Sequence, residues 1–128
     1  MAIVDLPALY RAYTACLNAQ AWDALARFVA ADVVHNGRTL GFAGYRNLIR
    51  GNYRDIQDLR FDVALVTADP PHLAARLRFD CTPKASFLGL PVNGKRVQFF
   101  EHAFYRFEGG RIAEVWSVID KAAIESQL

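Results

Sequence analysis

Asp120 closes an apolar run, Glu114-Val115-Trp116-Ser117-Val118-Ile119-Asp120. A carboxylate there, walled by Trp116 and Val118, would be stripped of water and become a usable general acid or base. The same residue has an ordinary alternative as the N-cap of a short helix over Lys121-Ala122-Ala123-Ile124, and spacing alone weighs the two equally. Glu101, inside a second apolar run, offers another carboxylate. Two carboxylates in one site can divide acid from base work, and an ion pair from Glu101 to Arg76 or Arg78 on a neighbouring strand is just as ordinary. His35-Asn36 stands where the chain leaves a strand, next to Gly37, and offers an imidazole and an amide to a ligand; turn formation by Asn36 and Gly37 is the equal alternative.

The three histidines, His35, His72 and His102, lack the spacing of a zinc or iron ligand set, so no metal is expected. There is no glycine-rich phosphate loop, no Gly-x-Ser-x-Gly elbow and no Cys/His nucleophile pattern, and no cofactor is expected either. Side chains acting alone in a dry pocket suit proton transfer beside a carbonyl on a small apolar molecule.

The elements that must position these groups follow from hydrophobic period. Leu6, Leu9, Tyr10, Tyr13 and Leu17 repeat at helical spacing, with Asp5 as N-cap and Pro7 in the first turn. A second short helix carries Trp22, Leu25, Phe28 and Val29 and ends near Ala31-Asp32, where Val33-Val34 turns strand-like. Phe42, Tyr45, Leu48, Ile49, Tyr53 and Ile56 mark a third helix. From Asp58 the period becomes two. Phe61 to Leu65 and Leu73 to Phe79 form a hairpin about Ala68-Asp69-Pro70-Pro71. A loop with Pro83, Gly89, Pro91 and Gly94 leads to a long strand from about Lys95 to Phe107. Gly109-Gly110 then turns the chain into a last strand, Arg111 to Asp120. Helices first and meander second is an α+β pattern, here a curved antiparallel sheet with three N-terminal helices on one face.

A two-residue turn at Gly109-Gly110 sets Glu101 opposite Val118 and Phe99 opposite Asp120. Strict alternation then gives one face Phe99, Glu101, Ala103, Tyr105, Ile112, Glu114, Trp116, Val118 and Asp120, and the other Phe100, His102, Phe104, Val115, Ser117 and Ile119. The first face, with Tyr13 from the first helix, is expected to line the pocket. The second is expected to join two copies as a homodimer through Phe100, Phe104, Val115 and Ile119, with Ser117 and His102 inside the contact. A single bulge would swap the register and bring His102 to the Asp120 face, as a further ligand-binding residue.

Composition bounds the partners. At 128 residues, 53% hydrophobic and 22% charged, residues 1–128 are expected to form one domain with a proper core and no disordered tract. Fifteen basic and thirteen acidic residues, a net charge of +2, are interspersed without the basic patch that nucleic acid requires. No apolar run reaches the roughly 20 residues needed to cross a bilayer, and the N-terminus lacks the pattern of a secretory signal, so a cytoplasmic location is expected. The two cysteines, Cys16 and Cys81, fall within apolar periods and read as buried thiols.

Three stretches carry a resemblance: His35-Asn36-Gly37-Arg38 through Gly41-Phe42-Ala43-Gly44-Tyr45-Arg46; Phe87-Leu88-Gly89-Leu90-Pro91 through Gly94-Lys95-Arg96-Val97; and Tyr105-Arg106-Phe107 through Gly109, Gly110, Arg111, Ile112, Glu114, Trp116 and Asp120. On these the chain resembles, over nearly its whole length, the SnoaL-like polyketide cyclases, or ester cyclases, of the nuclear-transport-factor-two-like superfamily of cone-shaped α+β barrels (cystatin-like). The resemblance implies intramolecular aldol ring closure without metal or cofactor, with an aspartate similar to Asp120 taking and returning the proton and His35 and Asn36 lining the pocket. Family members often carry Glu or Gln on the long strand with His two residues on; Glu101 matches and Ala103 replaces that His. Cys81-Thr82-Pro83-Lys84-Ala85 stands where the family commonly reads Gly-Thr-His-x-Gly. The scaffold also serves isomerases, epoxide hydrolases and non-catalytic binders, and these remain the alternatives.

Overall fold

The computed structural model describes residues 5–128. Residues 1–4, on which the reading of a leader-free N-terminus largely rests, lie outside the described residues. Helix α1 (Leu6–Asn18) begins where the Asp5 side chain accepts from the Ala8 N–H at 3.0 Å, with Pro7 in the first turn. It buries Leu6, Tyr10, Tyr13 and Leu17 at helical spacing. Its last residue, Asn18, exchanges two hydrogen bonds with the backbone of Phe61, at 2.9 and 2.7 Å, and so ties the helix to the start of the meander.

The second helical segment is a 3₁₀ turn, Trp22–Arg27, and ends earlier than its apolar period suggests. Phe28 caps this turn with helical backbone angles, its carbonyl accepts from the Ile112 N–H at 2.7 Å, and strand β1 (Val29–His35) begins at the next residue. β-branched Val29, Val33 and Val34 favour a pleated, half-buried strand over another helical turn. Asn36 and Gly37, at φ 47° and 79°, make the two-residue turn to β2 (Arg38–Thr39), as an Asn-Gly pair at positive φ should. Helix α2 (Gly41–Asp55) buries Tyr45, Ile49 and Tyr53, one turn apart each time.

The meander is β3 (Asp62–Asp69), β4 (His72–Cys81), β5 (Val97–Glu108) and β6 (Arg111–Ile119), and a short helix, α3 (Lys121–Glu125), ends the chain. The strand order is β2-β1-β6-β5-β4-β3. The α+β class and cone-like layout stand, but the sheet is mixed and open: β1 runs parallel to β6. Those two strands are joined through most of the chain, not by a hairpin, so nothing local requires them to be antiparallel.

Between β5 and β6 strict alternation fails at one place. Glu108 pairs with Arg111 and Phe107 with Ile112, but Arg106 then pairs with Glu114, leaving Ala113 as an extra residue. Beyond this β-bulge Glu101 faces Ile119, His102 faces Val118 and Phe104 faces Trp116. The concave face therefore carries Phe99, Glu101, Ala103, Tyr105, Val115, Ser117 and Ile119. The convex face carries Phe100, His102, Phe104, Trp116, Val118 and, just past the strand, Asp120. This corrects the expected faces for every residue of β6 after Ala113, because one inserted residue moves each following side chain across the sheet.

Asp120 is exposed, and its side chain caps α3, accepting from the Ala123 N–H at 3.1 Å. Of its two ordinary readings the helix cap is the one that its contacts match. Ile124 is fully buried, and the Gln127 side chain exchanges hydrogen bonds with the backbone of Gln98 at 2.9 and 2.6 Å, so the capped helix is strapped to β5. Replacing Asp120 by Ala should cost about 1 kcal/mol of stability, whereas Asp120→Asn should cost only a few tenths, since asparagine caps almost equally well. Urea unfolding of both variants checks this; equal losses would contradict the cap.

Candidate functional site

The concave face of the sheet, α2 and the loop between β4 and β5 line a cavity of about 520 Å³ that opens to the surface, within the usual range for a small-molecule site. One wall is aromatic. Phe61, Phe79, Phe99 and Phe87 follow one another with ring centroids 5.4, 5.3 and 5.7 Å apart, the middle pair nearly parallel at 22°. Phe87 reaches this wall from a tight turn. Phe87 and Leu90 exchange backbone hydrogen bonds at 2.9 Å across Leu88 and Gly89, which sit at φ 52° and 76°. The loop's ends are held by the Arg96–Asp80 pair, two contacts of 2.7 Å, and by Asp58, which accepts from both the Thr82 N–H and its hydroxyl.

Among the apolar lining, polar atoms come from His35, Asn36, Asn52, Glu101, Ser117 and Lys121. Glu101 is the single carboxylate. Its strand neighbours are Leu77 on β4 and Ile119 on β6, and no described residue hydrogen-bonds or ion-pairs it. The anticipated arginine partners lie on the other side of the sheet: Arg76 sits over the Phe100 ring at 3.5 Å and donates to His102 at 3.1 Å, and Arg78 reaches Gln98 at 3.5 Å. Burial without compensation pushes the Glu101 carboxyl up to about 7, because the charged form loses water and gains nothing in return.

His35 packs its ring 6.1 Å from Tyr45, and partial burial lowers its proton affinity, so it is the neutral imidazole near pH 7. The Asn36 side chain accepts from the Ser117 N–H at 2.8 Å and donates to the Ser117 carbonyl at 3.3 Å. It thus extends the β1–β6 pairing by one rung while lining the cavity, and leaves one amide hydrogen unspent. Asn36 thus makes the turn and also lines the cavity.

Of the residues singled out in the sequence, Glu101, His35, Asn36 and Phe99 come together at this cavity, and Tyr13 lines a small cleft behind it. Asp120, Trp116, Val118 and His102 do not: the bulge at Ala113 places the first three on the convex face, where Trp116 is 39% and Val118 69% exposed, and His102 lies on that face by the alternation of β5. Conversely Val115 and Ile119, expected on the outer face, turn inward. Ser117, Asn52, Tyr45 and Lys121 were not anticipated. Asn52 and Tyr45 were within reach, since seven residues on α2 return to the same face; Ser117 becomes visible only once the bulge is allowed. Among the described residues no three His, Cys, Asp or Glu side chains gather as a metal site, and no helix is long and apolar enough to cross a membrane.

The family model described as SnoaL-like polyketide cyclase matches residues 8–128. A crystal structure of a SnoaL-like polyketide cyclase from Agrobacterium tumefaciens is similar at 53% identity over 98% of each chain, with a TM-score of 0.96. TsrD from Streptomyces laurentii shares the fold at 20% identity and a TM-score of 0.84, covering 98% of this chain and 97% of its own. Wild-type IdmH from Streptomyces antibioticus does so at 18% identity and a TM-score of 0.83, over 97% and 98%. No curated protein matches the chain.

The Glu101 carboxyl binds its proton more tightly folded, near 7, than at its ordinary value of 4.5. The native chain therefore holds more protons than the unfolded one across that window, and stability falls as pH rises through it. Glu101→Gln should remove the penalty. At pH 8 the variant should exceed wild type by up to about 3 kcal/mol, and below pH 4 the two should converge. Urea midpoints at the two pH values measure it; a pH-independent difference would mean that Glu101 is ordinary.

Proposed function

The chain belongs to the SnoaL-like polyketide cyclase family, and on that footing we propose that it closes a ring in a small apolar carbonyl compound, with Glu101 as the acid/base. The observation that carries this reading is a lone carboxylate with a proton affinity near 7 at the inner face of an apolar, aromatic-walled cavity. A group of that strength is half ionised at neutral pH and can both take and return a proton.

The steps balance without a metal or cofactor. The Glu101 carboxylate removes a proton from a carbon flanked by carbonyl groups, leaving an enolate and a neutral carboxylic acid. The enolate carbon bonds to a second carbonyl carbon of the same molecule, whose π electrons move to its oxygen. The neutral Glu101 then protonates that alkoxide, restoring the carboxylate. Phe61, Phe79, Phe99 and Phe87 offer flat surfaces to conjugated or fused rings, while His35 and the free amide hydrogen of Asn36 orient the ligand. Because Asp120 lies on the convex face, its sequence-based role passes to Glu101 in this reading.

We also assign a homodimer across the convex sheet face, where Phe104 is 57% and Val118 69% exposed and Phe104 pairs with the exposed Trp116. An apolar patch of that kind is seldom left to water. The cytoplasm is the location that the free, buried Cys16 and Cys81 suit.

The proton-transfer step can be tested without the natural substrate. Exchange of the α-hydrogens of 2-tetralone into D2O, followed by NMR, should be accelerated by the protein, and the rate should rise with pH through about 7 as Glu101 ionises. Glu101→Gln should lower it roughly 100-fold with binding by calorimetry nearly intact. An unchanged rate in the variant would move the chemistry elsewhere, and tetralone that binds wild type without exchange would favour a carrier. For the assembly, Val118→Lys should convert a dimer to a monomer by light scattering; a monomeric wild type at micromolar concentration overturns the assignment.

A further inference from the structure

We propose that the paired hydroxyls of Tyr13 and Tyr45 form the oxyanion-binding element of this site, donating a hydrogen bond to a substrate carbonyl oxygen that enters the cleft beside Glu101. The proposal deepens the acid/base reading of Glu101 and rests on it for its catalytic meaning.

Behind the main cavity lies a cleft of about 70 Å³, lined by Tyr13, Tyr45 and Tyr105 together with Glu101, Ser117 and His35. The last three also line the main cavity, so the two spaces adjoin. A carbonyl group or a water or two fills such a volume. Four tyrosines converge on this region. The hydroxyls of Tyr13 and Tyr45 lie 2.6 Å apart and those of Tyr10 and Tyr105 3.0 Å apart, and each of the four residues is at most 4% exposed.

Each hydroxyl has one hydrogen, and a bonded pair uses one of its two. The Tyr13–Tyr45 pair therefore keeps a hydrogen that no other described residue accepts. An unspent donor in a dry site costs about 1–3 kcal/mol unless something receives it. Tyr53 provides the contrast: its hydroxyl donates to the Leu17 carbonyl at 2.7 Å and its hydrogen is accounted for.

The remaining polar groups leave this role open. The Asn36 side chain keeps one free amide hydrogen, but it lines the main cavity and not the cleft, held there by its two bonds to the Ser117 backbone. Lys121, the only cation lining the main cavity, is exposed and does not line the cleft. When Glu101 takes a proton, negative charge passes to the substrate oxygen, and only neutral donors stand at the deep end to receive it. Burial raises the proton affinity of Tyr13, Tyr45 and Tyr105 well above the usual tyrosine value, so these hydroxyls remain donors at every working pH. The rings are held by their neighbours, with Tyr10 4.9 Å from Tyr105 and 5.7 Å from Tyr13. Such a donor needs no reorganisation as charge develops, which is where oxyanion stabilisation gains its size.

The test uses 4-nitrophenol, whose phenolate stands in for an enolate oxygen and announces itself by absorbance. Glu101→Gln mimics the protonated acid that faces the enolate, and this variant should bind the phenolate in preference to the neutral phenol, lowering the apparent pKa of the bound probe below its value in free solution. Adding Tyr45→Phe should weaken phenolate binding about 10- to 100-fold, the range for a hydrogen bond to a charged group, while nitrobenzene binds unchanged. The double variant Tyr13→Phe with Tyr45→Phe removes both hydroxyls and leaves neither unpaired, and it gives a second test if the first does not fold. A bound nitrophenol that ionises less readily than the free one, as in a pocket without donors, overturns the proposal, and so does phenolate affinity that ignores both tyrosine substitutions. No proton is passed to residue 101 in this measurement, so its failure is separable from a failure of Glu101 as the base.

Discussion

The arrangement of this protein depends on one extra residue. Ala113 stands unpaired between Ile112 and Glu114, and every later side chain of β6 points the opposite way from strict alternation. With the bulge, Val115, Ser117 and Ile119 join Glu101 on the concave face, and Trp116 and Val118 go to the convex one. Without it, Trp116 in place of Ser117 would stand opposite Ala103 and point into the cavity. The parallel strand β1 accommodates the same irregularity: its register to β6 also shifts, between Val29 and Val34. A bulge bends a sheet and strengthens its twist, and here the bend and the facing of the pocket residues have one cause.

The elements were legible because their signals are local. Spacing of Leu6, Tyr10, Tyr13 and Leu17 identifies α1, and the Gly109-Gly110 turn pairs Glu108 with Arg111 as expected. Glu101 was legible for the same reason: the register of β5 against β4 is unbroken, so alternation from Phe79 and Phe99 carries through to it. The bulge was not, because Ile112-Ala113 contains no glycine or proline to mark it and both residues are buried. From that position the expected placement of Trp116, Val118 and Asp120 fails together, as one displacement. The pairing of β1 with β6 was hidden for a different reason, since partners some eighty positions apart leave no local pattern, as Val34 and Glu114 illustrate.

Where it differs from an ordinary core, the concave side sets polar groups among apolar ones. Four tyrosine hydroxyls, a neutral imidazole and an unpaired carboxylate lie behind a wall of phenylalanines. Each is unfavourable without a partner. The tyrosine pairs remove part of that cost, and the core from Leu25 and Val33 through Leu77 and Ile112 to Ile124, all at most 1% exposed, offsets the rest. Local polarity that weakens a fold while facing a cavity is the pattern expected where a protein gives up stability for chemistry.

The sheet also divides charge in a way that makes Glu101 what it is. Arg76, Arg78 and Arg106 face outward, where Arg76 lies on Phe100, Arg78 meets Gln98, and Arg106 meets Glu108 and Glu114. An arginine at position 77, between Arg76 and Arg78 and opposite Glu101, would pair with it and hold it ionised, ending its use as an acid. Alternation along β4 prevents this: Ala75, Leu77 and Phe79 point inward precisely because Arg76 and Arg78 do not. The inner face thus receives one carboxylate and no cation from the sheet, and the outer face receives the cations with partners already supplied. The proton affinity of Glu101 is therefore a property of strand register as much as of the residue, and the same register that excludes arginine admits the tyrosines that face it.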